Sequence, residues 1–105
     1  ENSLIALQNL QQYEKDLIEI ETKIIHIEIN INISNYSYLL NQLAQLNGDL
    51  DKIQFEKIDS IITANLLTGK YRIKKIRKHL NSKCEIIRQK ILDIHTLLIP
   101  TVSLK

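Results

Sequence analysis

Apolar side chains fall at Leu10, Tyr13, Leu17, Ile20, Ile24, Ile27 and Ile31, in alternating steps of three and four. An α-helix turns once every 3.6 residues, so this spacing lays them along one stripe suited to packing against other helices. A second set on the same segment, Leu7, Ile18, Ile25 and Ile29, lies well round the helix from the first. The first helix therefore calls for two neighbours, or for one neighbour and an external partner. A rival pattern runs through the same stretch, where Ile25, Ile27, Ile29, Ile31 and Ile33 alternate with polar residues as in a half-buried strand. No other stretch alternates in this way, and a lone strand leaves its backbone groups unpaired. Helix is the expected state, with a strand paired in trans to another protein as the open alternative.

The pattern then breaks at Asn35-Tyr36-Ser37, with Ser34 or Ser37 expected to cap the next helix. Leu39, Leu43, Leu46, Leu50 and Ile53 form a second stripe, which Ile58, Ile62 and Leu66 continue after a change of phase. Asn47-Gly48-Asp49 offers a stop and a new start within it, and Thr68-Gly69 marks the next break. From Lys70 the narrowest stripe begins, Ile73, Ile76, Leu80, Cys84, Ile87, Ile91, Ile94 and Leu98, with Pro100 expected to end it. The expected fold is an all-α antiparallel bundle of three long helices, about 3–33, 37–67 and 70–98. A break at 47–49 would give four.

Composition sharpens this picture. Two Gly and one Pro leave too little turn chemistry for an all-β fold. One Phe, four Tyr and no Trp give few of the aromatic walls that small-molecule pockets use. No small-molecule substrate and no cofactor are expected. Cys84 is the only cysteine, which removes the disulfide framework of small secreted domains and favours an intracellular setting, nuclear or cytoplasmic. No apolar run approaches the length of a transmembrane segment. The 105 residues suit one domain, and the absence of Met reads as a piece of a longer chain.

Charge is distributed unevenly. Glu1, Glu14, Asp16, Glu19, Glu21 and Glu28 outweigh Lys15 and Lys23 in residues 1–33, whereas residues 70–105 hold ten bases against Glu85 and Asp93. The densest cluster is Lys70, Arg72, Lys74, Lys75, Arg77 and Lys78, the candidate surface for an acidic partner or for phosphates. The plainer reading is a solvated face that complements the acidic first helix. His26, His79, Cys84 and His95 are the only soft metal ligands and match no zinc-binding spacing, so no metal site is expected. The carboxylates sit at helical positions that should be wet, and neither a Gly-rich phosphate loop nor a nucleophile elbow is present, so no catalytic residue is assigned and an enzyme is not expected.

The stretch Lys70-x-Arg72-Ile73-x-Lys75-Ile76-x-Lys78 resembles the basic helix of subunits of the GINS DNA-replication complex, where a run R-x-R-L-x-K-I-x-K lies in the helical domain. Ile94-His95-Thr96-Leu97-Leu98-Ile99-Pro100 is similar to the end of that family's helical domain, where a helix closes just before Pro. The resemblance implies a helical domain within a four-subunit assembly that supports the replicative helicase, without catalysis of its own. The family's aromatic before the basic run falls on Thr68, its acid-base pair falls on Asp59-Ser60, and residues 1–45 match no part of the pattern. The expected function is thus a non-catalytic interaction or scaffold subunit that meets other protein subunits through helix packing, with a nucleic-acid-binding module using the basic last helix as the alternative.

Overall fold

The computed structural model describes residues 2–32, 35–61, 63, 66 and 68–103. Its elements are α1 (Asn2–Ile29), α2 (Tyr36–Asp51), a π-helical segment (Lys52–Ile58) that continues α2, and α3 (Lys70–Ser103). The chain is an all-helical bundle, and no strand occurs among the described residues. An α-helix runs through Ile25, Ile27 and Ile29, so the alternating pattern there is not a strand. Ile33 lies outside the described residues.

The three stripes form one core. Leu10, Leu17, Ile20, Ile24 and Ile27 of α1 meet Leu39, Leu43, Leu46 and Leu50 of α2, Ile53 and Ile58 of the π-helical segment, and Ile73, Leu80, Cys84, Ile87, Ile91, Ile94 and Leu98 of α3. Tyr13, Ile31, Ile76 and Leu66 pack at its margin; Ile62 lies outside the described residues. A Cβ built on Gly69, just before α3, would lie 3.4 Å from Ser3 near the start of α1. Further along, Glu21 pairs with Lys83 at 3.3 Å. These two contacts run α1 and α3 parallel, and the pairs Asp51–Arg88 and Gln54–Glu85 run α2 and its π-helical continuation antiparallel to them. The bundle is a rod of 59 × 18 × 16 Å.

Helix boundaries differ from expectation at five places. α1 stops at Ile29 rather than 33, where the Asn30 backbone N–H bonds both His26 and Ile27 carbonyls and the Asn30 side chain also donates to His26 O at 2.8 Å. A short amide side chain that competes for backbone groups in this way ends helices readily. The cap of α2 is Asn35, whose Oδ1 accepts from Tyr38 N at 3.2 Å; Ser37 is inside the helix and Ser34 lies outside the described residues. No break occurs at 47–49, because Leu46 and Leu50 on either side are buried and outweigh the roughly 1 kcal/mol that Gly48 costs. α3 runs through Pro100 to Ser103. A proline this close to a helix end forfeits its own nitrogen's bond while leaving few turns beyond it to disrupt.

The middle helix also ends early, at Ile58 instead of 67, and its last seven residues are π-helical. Ile53 and Ile58 are both buried although five residues separate them. An α-helix would turn Ile58 well away from Ile53, whereas a π-helix bonds i to i+5 and returns it to the same side. The Asp59 N–H to Gln54 O bond at 2.9 Å has that spacing. The change of phase visible in the sequence is therefore absorbed by a local widening of the helix.

Candidate interaction site

The basic cluster divides into committed and uncommitted side chains. Arg77 is half-buried, and its guanidinium donates to the carbonyl of Ile61 at 2.8 Å, which ties Ile61 to α3. Arg88 is held more firmly. Its Nη2 donates to Asp51 Oδ1 at 2.7 Å, both its nitrogens reach Gln54 Oε1 at 2.8 and 3.0 Å, and its carbon lies 5.4 Å from the Phe55 ring centre. Gln54 is buried and passes the network on to Glu85 at 3.1 Å. Lys83 is taken by Glu21. The acidic α1 thus complements α3 directly through one ion pair among the described residues.

Lys70, Arg72, Lys74, Lys75 and Lys78 are exposed and make no ion pair among the described residues. Lys74, Arg77 and Lys78 edge a shallow cleft of about 640 Å³ together with Asp59, Asn81 and Glu85. Lys70, Arg72 and Lys75 lie outside it. Tyr71 is 79% exposed, with Lys74, Lys75 and Lys78 three, four and seven residues on and hence around it on one side of the helix. Cations here also stand at the positive end of the helix dipole, where they cost rather than contribute stability. The first turn of α3 carries no acid to offset them.

Apolar residues make up the second surface. Of the second set on α1, Leu7 packs against the core, while Ile18, Ile25 and Ile29 face solvent, Ile29 at 72% exposure. Thr22, Ile25 and Ile29 also border a groove of about 510 Å³ between α1 and α2, floored by Ile27 and Leu46 and edged by Gln42, Gln45 and Asp49. On α3, Ile86, Leu92 and Leu97 are exposed in turn. The amino-acid order does not single out Ile86 and Leu92 as a surface, because both lie among polar residues off the clean stripe of α3. Their signal was available: each is a large aliphatic residue outside the buried arc.

The soft ligands are dispersed. Cys84 is fully buried in the α3 stripe, and burial pushes its thiol from 9.0 up to about 11, against a smaller opposing pull from the Arg88 charge. His26, His79 and His95 are exposed. Among the described residues no three His, Cys, Asp or Glu side chains converge, and no helix is long and apolar enough to cross a membrane.

Fold and surface together define the class: a slender three-helix bundle, closed by one thin core, with apolar side chains left in solvent along α1 and α3. No family model, curated protein or solved structure matches the chain.

Proposed function

We propose that this domain is a non-catalytic helix-packing module of a larger protein assembly. The observation that carries the reading is the row Ile18, Ile25 and Ile29 on the outer side of α1, which the bundle leaves exposed although all three are β-branched aliphatic residues. Full burial of such a side chain from water is worth about 1.5–3 kcal/mol, and with about half of Ile18 and Ile25 still exposed a partner that covers the row gains roughly half of that from each. A subunit of a GINS-like replication assembly is the specific form of this reading that the basic run Lys70–Lys78 supports. Photo-crosslinking residues placed at Ile18 and Ile25 in cells are expected to capture protein partners, whereas one at exposed Glu56 is not. Equal yields at all three positions, or none, would remove the proposal.

A second reading is favoured by Tyr71 amid Lys74, Lys75 and Lys78. An exposed aromatic ringed by unpaired lysines is the combination that holds single-stranded nucleic acid, by base stacking and counterion release. Anisotropy of a labelled oligonucleotide should then show binding that falls steeply with salt and is lost when the three lysines become Glu. Failure to bind in low salt ends this reading.

A further inference from the structure

We propose that the partner of this surface is a second copy of the chain, joined across the face where α1 and α3 meet at the Glu21–Lys83 ion pair, with α1 of each copy lying along α3 of the other. The proposal rests on the helix-packing reading above. The Glu21–Lys83 ion pair marks the outer edge of the contact between α1 and α3. Ile18 and Ile25 lie three residues before and four after Glu21, and Ile86 lies three after Lys83, so all three flank that edge and point away from the core. Their exposures are 48, 53 and 58%.

Charge is arranged along the same face in two rails. Glu14 and Glu28 stand seven residues either side of Glu21, on the outer flank of α1, while Lys75 and Lys90 bracket Ile86 on α3. None of these four makes an ion pair among the described residues. Because α1 and α3 are parallel with Glu21 level with Lys83, a two-fold axis along the rod sets level upon level. Glu14 then meets Lys75 of the second copy, Ile25 meets its Ile86, and Glu28 meets its Lys90. A two-fold axis across the rod instead lays α1 on α1 and α3 on α3, acid on acid and base on base, and is rejected by repulsion. Asp93 is the acid on this flank of α3, and it accepts a hydrogen bond from Gln89 at 2.8 Å.

The area is adequate. α1 has 28 residues, so the face is about 40 Å long, and at 18 Å wide it offers roughly 700 Å² per copy, close to the 800 Å² or so of a standard interface. An isologous pairing also closes on itself and leaves no edge for further growth.

Sedimentation equilibrium on the full chain, from micromolar to millimolar at low ionic strength, tests this. The mass should rise from 12.2 kDa to twice that value. Chains carrying Glu14→Lys with Glu28→Lys, or Lys75→Glu with Lys90→Glu, should each stay at the single mass, and their equimolar mixture should return to the double mass. Ile25→Ser and Ile86→Ser, milder changes at exposed positions, should each weaken association at least tenfold with the helical circular-dichroism spectrum unchanged. A parent chain that stays at 12.2 kDa throughout overturns the proposal. So does a dimer indifferent to the serine variants, or a mixture of folded charge variants that stays monomeric. If the chain is monomeric while Ile18 still crosslinks to other proteins, the homodimer fails and the interaction-module reading stands; loss of both removes both.

Discussion

At the scale of single residues, the clearest tests concern positions where backbone preference and surroundings oppose one another. Gly48 sits inside α2 with helical neighbours, and a Cβ built there meets nothing within 4 Å. Gly48→Ala should therefore raise stability by about 0.5–1 kcal/mol, seen as a higher urea midpoint, since alanine loses less backbone entropy on entering a helix. Gly69 is the opposite case, with φ at +71° and Ser3 close by. Gly69→Ala should cost about 1–2 kcal/mol. Cys84 gives a pH signature. Its folded thiol titrates at about 11 and its unfolded thiol near 9.0, so both states are protonated below pH 9 and the thiol then adds no pH dependence. Above that, the unfolded chain loses its proton first. Stability should fall by up to about 1.4 kcal/mol per pH unit between 9 and about 11. Comparing denaturant midpoints of the parent and Cys84→Ala across that range isolates the thiol's share.

At the scale of elements, the π-helical segment explains how one helix serves two registers of core. The stripe Leu39, Leu43, Leu46, Leu50 and Ile53 keeps to α-helical steps, and Ile58 then comes one residue late. Glu56 is exposed between them. Deleting Glu56 brings Ile53 and Ile58 to a spacing of four and should convert the segment to plain α-helix, with the thermal midpoint changed by only a few degrees. Deleting Gln45 from regular α2 should unfold the domain, because Leu46, Leu50, Ile53 and Ile58 then turn away from the interior. Thermal melts followed by circular dichroism compare the two. The five-residue step was visible in the amino-acid order, but whether a helix breaks, slips or widens there depends on what the neighbouring helices need to cover.

At the scale of the whole molecule, the governing fact is slenderness. The radius of gyration is 16.8 Å, against about 13 Å for a compact domain of 100 residues. A rod of this kind has one row of core side chains per helix and little depth, so connections between helices carry unusual weight. Arg88 is the main polar one, tying α3 to Asp51 and Gln54. Arg88→Ala leaves Gln54 Oε1 without those donors in a buried setting and should cost about 1–3 kcal/mol in urea unfolding, more than Lys23→Ala, which removes only an exposed pair with Glu19 on α1.

The order of amino acids alone determined the all-helical class, the three stripes and nearly every core residue, because helical period is a local property: a side chain's bearing around its own helix depends only on its position in the chain. The same order did not reveal that Asn35 caps α2, that α3 continues past Pro100, or that Arg77 and Arg88 are spent on internal bonds while Lys70, Arg72, Lys74, Lys75 and Lys78 remain in solvent. Those outcomes turn on which groups from distant segments come within hydrogen-bond reach. Likewise, the period placed Ile18, Ile25 and Ile29 together, and only the packing of α2 and α3 against the other side of α1 decided that they stay uncovered.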